Sequence, residues 1–155
     1  MKKMGLVIAA VVMMLFFWKS GMAAEPDVRV MQKAGVGSYL ADAEGMTLYW
    51  YKNDSKGRST CTGACLDMWP AFYTGAVLSA APSMKQDDFG TIRRPEGKMQ
   101  NTFRGMPLYY YSMDRKVGDT MGHKMNNLWF VIDPLKFVAP EKQFYGKSKP
   151  SVGKE

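Results

Sequence analysis

The sequence predicts a mainly β domain built from two pseudo-symmetric repeats of short antiparallel strands, closing into one compact sandwich- or barrel-like body. Three observations carry this. Gly45-Met46-Thr47-Leu48-Tyr49-Trp50-Tyr51-x-x-Asp54 returns at a spacing of sixty residues as Gly105-Met106-Pro107-Leu108-Tyr109-Tyr110-Tyr111-x-x-Asp114, with Trp69 and Trp129 in the same register. Self-similarity of this kind dictates architecture, because equivalent residues fall at symmetry-related points. Apolar residues alternate or form short unbroken runs, while helical periodicity is scarce. Finally, Gly, Pro, Asn and Asp punctuate the chain between these runs.

Taken in order, Lys2 and Lys3 precede an apolar stretch from Met4 to Trp18, followed by small residues ending in Ala23-Ala24. This is the layout of a secretory signal peptide. Fifteen apolar residues is short against the roughly 20 needed to span a bilayer, so cleavage is expected and no stable membrane anchor should remain. Residues 1–24 are thus read as signal, 25–135 as a single domain with repeats at about 38–70 and 98–134, and 136–155 as a basic, disordered tail. Cleavage removes three lysines and takes the formal charge from +7 to +4. The tail from Lys136 to Glu155 carries five lysines and two glutamates among Gly, Pro and Ser, too little apolar surface to offset ordering entropy. Secretion argues against a nucleic-acid partner.

Strands are expected at Ser38 to Ala41, Met46 to Tyr51, Phe89 to Arg93, Lys98 to Phe103 and the second copy of the motif. Glu44-Gly45 and Arg104-Gly105 supply tight reversals, making each repeat a hairpin. Leu128 to Ile132 is a continuous apolar run between Asn126-Asn127 and Asp133-Pro134, as in a buried strand. A short helix is expected between Thr62 and Trp69, with Thr62 as N-cap and Pro70 ending it. Thr74 to Gln86 reads as a connecting loop.

Cys61 and Cys65 are the only cysteines, in a chain bound for an oxidising compartment, and are read as one structural disulfide. Their spacing is not the Cys-x-x-Cys of redox enzymes. The second copy carries Met121 and Met125 at these positions, flanking the only histidine, His123. Thioethers with an imidazole suit Cu(I), and in an extended segment alternation would place all three on one face. The competing reading is a turn whose methionines fill core gaps. The most specific element is the duplicated Tyr-x-Tyr-x-x-Asp. Either each tyrosine hydroxyl bonds a turn-forming aspartate, or Tyr49, Tyr51, Asp54 and Tyr109, Tyr111, Asp114 line a groove that binds a ligand by aromatic contact.

Tyr49-Trp50-Tyr51-Lys52-Asn53-Asp54, Tyr109-Tyr110-Tyr111-Ser112-Met113-Asp114 and Cys61-Thr-Gly-Ala-Cys65-x-x-x-Trp69-Pro70 resemble the bacterial secreted-repeat family of predicted lipoproteins with the Tyr-x-[Phe/Trp/Tyr]-x-x-Asp motif. The resemblance covers about Ser38 to Pro134. It implies a periplasmic or secreted location and a repeat architecture, and it transfers no active site, since the family is of unknown function. This chain lacks a lipid-accepting cysteine near the cleavage site.

The expected function is a non-enzymatic binding or interaction module for an envelope protein, a glycan or a small ligand, with no cofactor. The alternative is an envelope redox protein using copper or a haem held without covalent attachment, since Cys-x-x-Cys-His is absent. Hydrolase signatures such as Gly-x-Ser-x-Gly and His-Glu-x-x-His are absent as well.

Overall fold

Each half is organised by a reversal at the glycine that opens the repeated strand. The computed structural model describes residues 27–77 and 81–141. In the first half β1 (Val28–Lys33) and β2 (Gly37–Asp42) pair antiparallel, Val28 opposite Asp42. The chain turns back at Ala43-Glu44-Gly45, with Gly45 at φ 87°. Thr47 then bridges Ala41, and β3 (Tyr49–Tyr51) follows. In the second half β4 (Phe89–Arg93) pairs with β5 (Met99–Phe103), which turns at Arg104-Gly105 into β6 (Met106–Pro107). Arg104 and Gly105 both have positive φ, 48° and 83°, the primed geometry that matches strand twist in a two-residue hairpin.

The repeats join edge to edge. β7 (Trp129–Val131) pairs antiparallel with β3, and Ala71 bridges Tyr109 at the equivalent place. Between these pairs, Tyr49 and Tyr109 exchange both backbone hydrogen bonds, at 2.8 and 2.9 Å. Each is the other's counterpart in the repeat, so a local twofold axis passes between them. The molecule is mainly β, its ladders falling into three antiparallel sheets of two, two and three strands among the described residues, without closing a barrel.

Alternation along the repeated strands sends side chains to two cores. Tyr49, Tyr109 and Tyr111 enter one cluster with Trp69, Trp129, Val131 and Cys61. Leu48, Leu108 and Ile132 enter the other, with Trp50 and Tyr110 packed against it. Cover on both faces explains why both alternating sets are bulky.

Four details differ from expectation. β1 was not anticipated from the sequence, although Val28 and Val30 alternate as a half-buried strand requires. The helix α1 (Ala64–Met68) is capped at Gly63, not Thr62, whose carbonyl, rather than its side chain, accepts a bond from Cys65 N–H at 3.2 Å. Extended pairing in β3 spans only Tyr49–Tyr51, because Met46 to Leu48 are drawn into the return from β2. Past residue 135 the chain still packs: Ala139 is buried, and Phe137 lies against the second cluster while its carbonyl accepts a bond from Arg104 Nη1 at 2.5 Å. The expected signal segment and the tail beyond residue 141 lie outside the described residues.

Candidate functional site

The repeated tyrosines form a crossed pair rather than a surface. Tyr49 Oη donates to Asp114 Oδ2 at 2.6 Å, and Tyr109 Oη donates to Asp54 Oδ2 at 2.6 Å. Each hydroxyl therefore serves the aspartate of the opposite repeat. The remaining carboxylate oxygens take local donors: Asp54 Oδ1 accepts from Thr60 N–H and Thr60 Oγ1 at 2.6 and 2.9 Å, and Asp114 Oδ1 accepts from Met121 N–H at 3.0 Å. Gly122 N–H donates to Tyr49 Oη at 3.2 Å. Burial raises both aspartates above their ordinary range, an effect opposed by these donors. Burial and the adjoining carboxylates push Tyr49 and Tyr109 well above ordinary tyrosine values, which keeps them neutral donors.

This arrangement corrects the reading of Tyr49, Tyr51, Asp54, Tyr109, Tyr111 and Asp114 as a ligand-binding groove. Tyr49 and Tyr109 are 0% exposed and Tyr111 is 8% exposed, with Asp54 at 1% and Asp114 at 7%. Only Tyr51 of the six is half-buried. The physical reason is that both strand faces are covered, so a tyrosine needs an internal partner for its hydroxyl.

A column of rings runs across the twofold axis. Trp69 and Trp129 stack at 3.8 Å between centroids with planes 2° apart. Tyr111 stacks on Trp69 at 4.3 Å and Tyr51 on Trp129 at 4.3 Å, extending the column symmetrically to four rings. Tyr49 and Tyr109 meet the tryptophans edge-on, at 5.5 and 5.1 Å. A Cβ on Gly122 would lie 2.7 Å from Trp69 and 3.0 Å from Tyr49, so glycine is what lets the backbone reach this column.

The second repeat sends a buried cation into the first. Arg94, 3% exposed, donates from Nη1 to Ser59 Oγ at 2.9 Å and to Gln100 Oε1, from Nη2 to the Cys61 carbonyl at 2.5 Å, and from Nε to Glu96. Ser59 Oγ in turn lies 2.6 Å from Tyr109 Oη. A hydrogen-bonded chain thus links the guanidinium, through Ser59 and Tyr109, to Asp54, and Arg94 helps hold the Asp54 carboxyl down.

Cys61 and Cys65 form a disulfide with Cα atoms 5.4 Å apart. In the other repeat, Met121, His123 and Met125 do not lie on an extended segment. His123 N–H bonds to the Thr120 carbonyl and Met125 N–H to that of Gly122, and a 3-10 turn follows at Met125–Asn127 with Lys124, Asn126 and Asn127 at positive φ. Met121 is 60% exposed, whereas Met125 packs on the aromatic cluster. The alternation that was to align the three side chains is absent, because Gly122 and the two asparagines fold this stretch back. His123 Nδ1 accepts Val131 N–H at 3.2 Å, and burial pulls the imidazole below its ordinary value.

Exposed apolar side chains gather elsewhere. A groove of about 550 Å³ lies between α1 and the β4–β5 turn, with Leu66, Pro70, Tyr73 and Met99 in its lining and Asp67, Arg94, Glu96 and Lys98 as charged members. Tyr73 is 51% exposed and Met99 38%.

A family model described as a secreted repeat of unknown function matches residues 31–72 and 90–133. The chain belongs to this family. The two matched segments are the two halves joined at Tyr49 and Tyr109, and the family's description as secreted agrees with a periplasmic or secreted location. No curated protein and no solved structure matches the chain.

Within this secreted-repeat domain the residues that sequence reasoning missed are Arg94, Tyr73 and Met99. Arg94 opens Arg94-Pro95-Glu96-Gly97, where turn chemistry masked its burial. Tyr73 follows a buried Phe72 at the end of an apolar run, which carries no pattern that distinguishes a surface ring from a core one.

Proposed function

We propose that the protein is a secreted, non-enzymatic binding module whose ligand contact is the groove between α1 and the β4–β5 turn. The observation that carries the reading is the coincidence of the half-exposed Tyr73 and Met99 in one cavity of about 550 Å³. Ligand sites fall in this size range, mostly apolar with a few polar groups that orient the ligand. Tyr73 offers a ring face, Met99 an adaptable thioether, and Asp67, Glu96 and Lys98 offer hydrogen-bonding groups of both signs. This chemistry suits a ligand with one apolar face and a polar edge, such as a sugar ring or the side chain of a peptide. The inaccessible Tyr–Asp pairs support a structural role for the repeated motif, since no substrate reaches them.

The test is saturation-transfer NMR with a panel of oligosaccharides and short peptides, repeated on Tyr73→Ala. Signal from a panel member that is lost in the variant supports the groove. Signal that survives Tyr73→Ala places recognition elsewhere, and silence across the panel removes these ligand classes.

A further inference from the structure

We infer that the protein carries an oxyanion-binding site beside the Arg94–Gly97 turn, where Arg58 and Arg93 line a second cavity and would hold a phosphate-type group. This cavity has a volume of about 490 Å³, and its lining includes Arg58, Arg93 and Arg94 together with Ser59, but no carboxylate residue. The imbalance is local. Residues 27–141 contain 14 basic and 12 acidic side chains, so three arginines with no acid in one lining depart from an otherwise mixed surface.

The three arginines are not equivalent. Arg94 is committed to the interior, with Glu96 on its Nε and Ser59, Gln100 and the Cys61 carbonyl on its Nη atoms. Arg58 and Arg93 are exposed, and neither makes an ion pair among the described residues. Their backbone positions are set by the turn and strand that carry them. The Ser55–Arg58 turn is closed by reciprocal backbone bonds at 3.1 and 2.9 Å, while Gly57 N–H is tied to the Gly105 carbonyl at 2.8 Å. Arg93 ends a paired strand opposite Met99, and its Nη2 lies 3.9 Å from where a Cβ of Gly97 would stand. Two planar forks held on braced elements match the tetrahedral face of a phosphate or sulfate, which guanidinium groups bind bidentately.

Arg94 lines both this cavity and the apolar groove, but the two groups that would bind, Arg58 and Arg93, belong to this cavity and not to the groove, so the inference does not depend on the groove. The chemistry is that of a phosphoryl or sulfate group, whether free, esterified to a small molecule, or carried as a lipid headgroup. The test is titration of inorganic phosphate into the full mature chain at constant ionic strength, observed through arginine side-chain NMR signals. The comparison variants are Arg58→Gln/Arg93→Gln and, as a control, Lys116→Gln in the symmetry-related loop. Vesicles of phosphatidylglycerol in phosphatidylcholine form a second arm. Saturable shifts of Arg58 and Arg93 that weaken at least tenfold in the double variant, and not in the control, support the site. Vesicle binding with the same dependence on the two arginines also supports it and identifies a headgroup as the source. Shifts that do not saturate, or that fall equally in the control, overturn it, as does binding unchanged in the double variant. Circular dichroism of the double variant checks that it is folded, and the single variants Arg58→Gln and Arg93→Gln replace it if it is not: a phosphate affinity unchanged in both overturns the proposal.

Discussion

The Tyr49–Asp114 bond shows how much one hydroxyl holds. Tyr49→Phe removes a donor from a buried carboxylate and an acceptor from Gly122 N–H at once. Leaving such groups unpaired costs about 1 to 3 kcal/mol, so the urea midpoint should fall accordingly. Gly122→Ala should cost a comparable amount, about 1 to 3 kcal/mol, by overpacking against Trp69. The aspartate also sets a pH dependence. Burial raises the folded value of Asp114, so the folded protein holds this proton more tightly than the unfolded chain. Its contribution to stability is therefore fully present below the ordinary carboxylate value of about 4 and is lost as pH rises through the raised folded value. Denaturation of the parent and of Asp114→Asn across pH 3 to 7 should show the parent losing ground to the variant as pH rises. A flat difference would mean that the carboxyl is not perturbed.

At the scale of elements, the disulfide pins α1 to the loop that carries Ser59 and the Cys61 carbonyl, both partners of Arg94. A five-residue loop is a small one to close, and the chain-entropy relation gives about 2 kcal/mol for it. Reduction, or Cys61→Ala/Cys65→Ala, should lower stability by about that amount in an equilibrium denaturation, and an unchanged midpoint would mean that the turn holds itself without the bond. Much of this level could be read in advance. Strand Phe89–Arg93, the hairpin glycines and the buried run around Trp129 follow from alternation and turn chemistry, which are local signals. The partner of each tyrosine is not local. Asp54 stands five residues from Tyr49 and Asp114 five from Tyr109, so spacing suggested a bond within each repeat, whereas the twofold axis hands each hydroxyl to the other half. Likewise, nothing in the order Met121-Gly122-His123 reveals that Gly122 lies under Trp69, because that contact exists only after the halves have met.

For the whole molecule, the axis between Tyr49 and Tyr109 implies that stability belongs to the pair of repeats jointly. Tyr49, Tyr109 and Tyr110 all have values raised by burial and by carboxylate partners, Tyr110 through Asp42 at 2.7 Å. Alkaline titration followed by tyrosinate absorbance should therefore leave these three silent until the fold itself is lost, in one cooperative step. Their contribution to stability is present below the ordinary tyrosine value of about 10 and disappears as pH rises beyond it. Gradual ionisation of all tyrosines near that ordinary value would contradict the buried network. The crossed hydroxyls carry a further consequence. A polypeptide comprising one repeat alone would present its tyrosine with no distant carboxylate and its aspartate with no distant hydroxyl, and the same antiparallel contact that joins the halves here would join two identical chains. Such a fragment would satisfy itself only as a homodimer, with the covalent linker of the present chain replaced by concentration. This domain is, in that sense, a dimer whose subunits have been fused, and its two halves are free to diverge because neither must any longer pair with its own copy.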